Sequence, residues 1–175
     1  MLGIVHLNAI FPLLLTRALL PTLRARQGPT QVMFVGSISA NISIPRFTIY
    51  ASSKNFIKAL ARCLDADEHW PVSRRQGVSF MYLNVGEVVS STMKITPSLF
   101  APTSERFAKA VVARIGCGRK QITPWMPHAV LEWFMTMLGE NIVERFARKE
   151  VSMLLAMEDE GGTEGGPRVR HNKYS

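Results

Sequence analysis

Tyr50 and Lys54 stand four residues apart in Tyr50-Ala51-Ser52-Ser53-Lys54, and Ser37 precedes the tyrosine by thirteen positions. On a helix, residues four apart share a face about one turn apart, which sets an ammonium beneath a phenol. Positive charge there favours the phenolate and lowers a pKa that starts near about 10. A tyrosine so tuned serves as a proton donor or acceptor near neutral pH. A serine hydroxyl aimed at the same carbonyl oxygen would steady the charge that develops on it. The three residue types therefore point to proton transfer at a carbonyl group, provided the fold brings the serine to the helix. Ser39, eleven positions before the tyrosine, competes with Ser37 for that role.

The elements that must position them are legible around the motif. Gln31-Val32-Met33-Phe34-Val35-Gly36 is a short apolar run, rich in β-branched and aromatic residues, that predicts a buried parallel strand. Ser37 then stands at its carboxyl end, where open α/β sheets bind ligands. A polar, turn-prone stretch follows from Ser39 to Arg46. A helix carrying Tyr50 and Lys54 then continues through Phe56, Ile57, Leu60, Ala61 and Leu64 at helical spacing. Upstream, Ile10 to Leu23 predicts a long apolar helix opened by His6-Leu7-Asn8-Ala9 and mildly interrupted by Pro12 and Pro21. Downstream, Gly77 to Leu83 predicts the next buried strand, followed by the turn Asn84-Val85-Gly86-Glu87-Val88-Val89.

In these residues the chain resembles the short-chain dehydrogenase/reductase family, whose site is a Ser, a Tyr-x-x-x-Lys and an Asn on the preceding helix. Asn8 is the matching asparagine, although an asparagine near a helix start also serves as a cap. Asn84 to Val89 is similar to that family's nicotinamide-side turn, with Val85 where the family usually has proline. Phe47-Thr48-Ile49-Tyr50, Glu87-Val88-Val89-Ser90, Arg114-Ile115-Gly116-Cys117-Gly118 and Thr123-Pro124-Trp125 resemble the branch of very-long-chain 3-oxoacyl-CoA reductases and 17-beta-hydroxysteroid dehydrogenases.

The resemblance implies an α/β fold: the carboxyl-terminal portion of a Rossmann-type doubly wound parallel sheet with a carboxyl-terminal helical extension. Residues 1–122 would form a partial dinucleotide-binding catalytic domain, 123–157 an apolar helical extension, and 158–175 a disordered tail. No glycine-rich turn between a strand and a helix precedes Asn8, and Gly116-Cys117-Gly118 has neither a preceding strand nor a third glycine. The sequence therefore reads as amino-terminally truncated relative to that family. The implied catalytic residues are Asn8, Ser37, Tyr50 and Lys54. The implied cofactor contacts are Tyr50, Lys54, Val85, Gly86, Val88 and Thr92. Tyr50 would give a proton to the substrate oxygen, Ser37 would hydrogen-bond it, Lys54 would bind ribose hydroxyls, and Asn8 would hold a water. NADP is the implied cofactor, with NAD the alternative, and a 3-oxoacyl-CoA or an oxosteroid the implied substrate. A catalytically inactive remnant serving as a membrane-associated or interaction protein is the competing reading.

Composition bounds the rest. The chain of 175 residues is 47% hydrophobic and 19% charged with a net charge of +8, which suits one globular core and anionic small-molecule or lipid partners. No motif or basic-aromatic platform for nucleic acid accompanies that charge. Cys63 and Cys117 form neither a disulfide framework nor a metal-spaced cluster with the four histidines. Reduced, buried thiols are the expectation. Met1 to Leu23 lacks the small-residue cleavage site of a signal peptide. The apolar patch from Ala129 to Leu138, interrupted by Glu132, is too short to span a bilayer and reads equally as an interfacial helix or as a core- or dimer-packing one. Peripheral membrane contact through 128–157, homo-oligomerisation and an endoplasmic-reticulum location, on the cytoplasmic face if peripheral, are the remaining expectations. From Gly161 to Pro167 the glycine-rich sequence cannot build a core.

Overall fold

The apolar runs become strands within one residue of their expected limits, because each is short, β-branched and closed by a glycine turn. In the computed structural model, which describes residues 2–70, 77–91, 93 and 95–160, β1 is Thr30–Val35 and β2 is Val78–Leu83. The chain enters through α1 (Leu2–Val5), a π-helical stretch (His6–Ile10) and α2 (Phe11–Ala25). After β1 come a 3₁₀ turn (Ile38–Asn41) and α3 (Thr48–Glu68). Beyond β2 follow α4 (Ser104–Val112), β3 (Gln121–Ile122), α5 (Met126–Leu138) and α6 (Glu140–Glu160). The strands form one parallel sheet in the order β1-β2-β3, in which Val32 faces Phe80 and Phe34 faces Tyr82.

That register puts Phe34, Val78, Phe80 and Tyr82 on one face, where Ile57 and Ala61 of α3 close over them and Leu20 and Leu23 of α2 pack alongside. The Phe34 and Phe80 rings stack with centroids 6.1 Å apart. Burial of Phe34, Ile57, Val78 and Phe80 contributes about 1.5–3 kcal/mol each, which is what holds α3, and with it the motif, against the sheet.

Two carboxylates fasten the same layer. Asp65 of α3, 2% exposed, accepts the Phe80 amide at 3.0 Å and pairs with Lys120 at 2.9 Å. Burial alone would raise the Asp65 pKa, yet the Phe80 amide, Lys120 and His69 together hold it below the ordinary 3.8. Glu68, also buried, accepts both a 3.1 Å and a 3.2 Å bond from Nε of Arg24, with Nη2 adding a third contact. The end of α2 is thus clamped to the end of α3.

Three expectations require correction or completion. Asn8 does not open a helix. It lies within a continuous helical run, in the π-helical stretch where the Phe11 amide bonds the His6 carbonyl five residues back. The thiols are not buried: Cys63 and Cys117 are exposed and free. Cys63 falls off the Ile57–Ala61 face of α3, and Cys117 sits in a turn between Gly116 and Gly118, both at positive φ. The tail was expected from 158, but α6 runs through Glu160, and residues 161–175 lie outside those described.

On α5 the expected apolar patch is external. Met126, Val130, Trp133, Phe134 and Met137 form an exposed stripe at helical spacing, while His128 is buried and Glu132 half-buried. The core-facing alternative for this patch is therefore set aside. Leu2–Ala25 is long and apolar enough to cross a membrane by length and composition, a property it shares with core helices of soluble proteins.

Candidate active site

Ser37 leaves β1 in extended conformation and caps the 3₁₀ turn, its Oγ accepting the Ser39 amide at 3.2 Å. The Ser39 hydroxyl also donates to Ser37 Oγ, at 2.8 Å. With its lone pairs engaged by Ser39, the Ser37 hydroxyl keeps its own hydrogen for an outside acceptor. Ser39 is therefore a partner of Ser37 here, not its rival. The backbone on either side is held too: the Gly36 amide bonds the Leu83 carbonyl at 2.9 Å and the Ile38 amide bonds the Val85 carbonyl at 3.0 Å.

Tyr82 supports this turn from beneath. Its hydroxyl accepts the Ser37 amide at 3.0 Å and donates to the Ser37 carbonyl at 3.2 Å. The ring lies against Gly36, where an added Cβ would meet Tyr82 Cζ at 2.0 Å, so this position requires glycine. Burial pushes the Tyr82 phenol up to about 12, and the charges of nearby Tyr50 and Glu132 add to the rise while the Ser37 amide opposes it. Tyr82 is therefore a neutral prop at physiological pH. Sequence reading placed it only as a strand residue, since its hydroxyl partner lies 45 positions away.

Tyr50 and Lys54 occupy the first turns of α3, as their spacing required. Lys54 Nζ lies 5.7 Å from the centroid of the Tyr50 ring and donates to the Val35 carbonyl at 3.2 Å. That bond fixes the ammonium at the carboxyl end of β1, two residues before Ser37. Burial lowers the Lys54 pKa. Phe47 packs edge-on to Tyr50, with centroids 6.2 Å apart. Asn8 reaches the same helix: its Nδ2 donates to Ser53 Oγ at 3.3 Å, and Ser53 Oγ donates to the Tyr50 carbonyl at 2.7 Å. The π-helical stretch widens the helix at this contact, a distortion that recurs at functional sites.

The turn after β2 completes the crevice. Val85, Gly86 and Val88 follow the strand at its carboxyl end, level with Ser37 through the Ile38–Val85 bond. Glycine at position 86 has a reason absent from the sequence pattern. The ring of His128 sits over it, and an added Cβ would meet Nε2 at 2.8 Å. His128, 1% exposed, is held by a 2.8 Å bond between Nε2 and the Phe100 carbonyl. Thr92, the last expected contact, lies outside the described residues. Among the described residues, no group of three or more His, Cys, Asp or Glu is placed to hold a metal.

The structure therefore places Ser37, Lys54 and the Val85–Val88 turn at the carboxyl ends of β1 and β2, with Tyr50 beside Lys54 and Asn8 bound to Ser53 on the same helix. A hydroxyl, a phenol and a desolvated ammonium are the groups needed to bind and protonate a carbonyl oxygen. The nicotinamide and ribose end of a dinucleotide fits this set. No strand, glycine-rich turn and helix unit for the pyrophosphate is present among the described residues.

A parallel sheet with a Ser, Tyr-x-x-x-Lys crevice defines a class of oxidoreductase, and the comparisons identify it. Residues 3–96, more than half of the chain, match the family model for short chain dehydrogenase. The chain belongs to the short-chain dehydrogenase/reductase family. It is 32% identical over 132 residues to a very-long-chain 3-oxoacyl-CoA reductase-like protein of Arabidopsis thaliana, covering 74% of this chain and 41% of that protein. It is 29% identical over 132 residues to very-long-chain 3-oxoacyl-CoA reductase-B of Danio rerio, covering 75% of this chain and 40% of that one. The chain thus spans about two fifths of the length of these relatives. A short-chain dehydrogenase from Burkholderia cenocepacia, solved in complex with NADP, shares the fold at a TM-score of 0.56 and 17% identity, over 89% of this chain and 56% of that one.

Proposed function

We propose that this chain carries the carbonyl-side half of an NADP-dependent ketoreductase that reduces the keto group of a 3-oxoacyl-CoA. The observation that carries this reading is the pairing of Lys54 with both the Tyr50 ring and the Val35 carbonyl, which ties the Tyr-x-x-x-Lys pair to the strand end bearing Ser37. The relatives named for 3-oxoacyl-CoA reduction favour that substrate over an oxosteroid. NADP is preferred to NAD because it is the cofactor of the structurally similar Burkholderia dehydrogenase.

Asn8, Ser37, Tyr50 and Lys54 act together in this reading. Tyr50 donates the proton from its hydroxyl to the substrate oxygen, Ser37 Oγ hydrogen-bonds that oxygen, and Lys54 favours the resulting phenolate. Asn8 supports the backbone of Tyr50 through Ser53. The bound nicotinamide supplies the hydride. Lys54 and the Val85, Gly86, Val88 and Thr92 segment would hold its ribose and ring. The location proposed is the endoplasmic-reticulum membrane, with the exposed α5 stripe in peripheral contact on the cytoplasmic face.

A second reading draws on the open apolar surface of the π-helical stretch, α2 and β1, where Leu7, Phe11 and Val35 are more than half exposed. In it the chain is a catalytically inactive interaction or membrane-associated protein. Titration calorimetry with NADPH separates the two. Micromolar binding that the Lys54→Ala variant abolishes is the expected result. A folded chain that binds no NADPH would overturn the reductase reading for this chain and leave the second.

A further inference from the structure

The carboxylate that interrupts the apolar stripe of α5 joins five segments of the fold. Glu132 Oε1 accepts Nδ2 of Asn84 at 2.6 Å and Nδ2 of Asn41 at 3.0 Å, and Oε2 accepts the hydroxyl of Thr123. Asn41 ends the 3₁₀ turn that Ser37 caps. Asn84, 1% exposed, begins the turn that leads to Gly86, and its Oδ1 lies 3.5 Å from Nδ2 of Asn41. Thr123 follows β3. Lys58 of α3 donates to Asn41 Oδ1 at 2.6 Å and so closes the chain of contacts back to the motif helix.

The two lysines make the arrangement symmetrical about Ser37. Lys54 holds the Val35 carbonyl two residues before the serine, and Lys58, one helical turn on, holds Asn41 four residues after it. Glu132 supplies the acceptor on the far side of Asn41. A carboxylate is the only side chain that accepts from three donors in this way without offering a donor of its own, and bonds to an ionised acceptor are the stronger kind.

We propose that Glu132 is a positioning residue that holds the Ser37 turn and the Asn84–Val88 turn at a fixed separation across the crevice. It touches neither proposed substrate nor cofactor and acts through Asn41 and Asn84. Its role in turnover rests on the ketoreductase reading, whereas its role in ordering the two turns does not.

Hydrogen exchange read by mass spectrometry tests it, with NADPH affinity measured on the same proteins. In Glu132→Ala, amides in 37–43 and 84–88 should exchange about tenfold faster, while the β2 core amides of Phe80 and Tyr82 keep their rates, as expected for local opening. Glu132→Gln should stay within about threefold of the parent, because its amide oxygen still accepts from both asparagines and its amide nitrogen donates to a reoriented Thr123 hydroxyl. NADPH affinity should fall about tenfold in the alanine variant and recover in the glutamine variant. Should Glu132→Ala fail to fold, the exposed Asn41→Ala decides: exchange should rise in 37–43 alone. Unchanged exchange in both turns, or a uniform rise that includes β2, overturns the proposal. If the parent binds no NADPH, the ketoreductase reading fails while the exchange arm still judges the positioning role.

Discussion

Gly36→Ala should be among the most damaging single-methyl changes in this chain, although alanine is ordinarily harmless where the backbone is not left-handed. Gly36 is not among the glycines at positive φ, so any cost is steric. The new Cβ would lie 2.0 Å from Tyr82 Cζ and 2.2 Å from both Cε2 and the hydroxyl oxygen, against ordinary contact from 3.4 Å. The fully buried ring must retreat by about 1.4 Å or the strand must shift, and overpacking of this kind costs about 1–3 kcal/mol. The retreat also breaks the 3.0 and 3.2 Å bonds of Tyr82 to Ser37. At about 0.5–1.5 kcal/mol each, they bring the total to about 2–6 kcal/mol. Urea unfolding followed by circular dichroism measures this, and in the Tyr82→Leu background, which lacks the clashing atoms, the same substitution should cost below about 1 kcal/mol. A loss below about 0.5 kcal/mol in the parent, or an equal loss in both backgrounds, would refute the steric account.

Two further outcomes follow from titrating groups. Asp65 is held below its ordinary 3.8, so its contribution to stability is present above that pH and is lost as pH falls through the lower native value. The deficit of Asp65→Asn relative to the parent should thus be constant between about pH 5 and 7 and shrink below 3.8, as read from urea midpoints across pH. Tyr82 is raised from 10 to about 12, so its contribution is complete below 10 and fades as pH rises toward 12. Ultraviolet titration should show a phenol phase near 12, and Tyr82→Phe should delete that phase.

The legible parts were those whose cause is local. Strand composition placed β1 and β2, and four-residue spacing placed Lys54 beside Tyr50. Ser37 followed from standing just past a strand. What escaped depends on partners far along the chain. Helical periodicity runs unbroken through Asn8, so nothing local marks the π-helical stretch. Glu132 reads as an interruption of an apolar stripe, because its partners Asn41 and Asn84 lie 91 and 48 positions away. Cys63 has the composition of a buried residue, and only the rotation of α3 against the sheet turns it outward. Gly36 and Gly86 look like turn residues, whereas Tyr82 and His128 explain them.

The parallel sheet also sets a clock for synthesis. Thr30 pairs with Val78, 48 residues later, and no closer strand pairing exists for β1 among the described residues. At about 5–20 residues per second, a ribosome needs about 2–10 s to deliver the first partner residue after Thr30 is made. During that interval β1 has no partner among the described strands, and α3, which is complete by Glu68, has no β2 to cover. Protection of a nascent chain in this window, by a chaperone or by slow release, therefore bears on its yield independently of the stability of the finished fold.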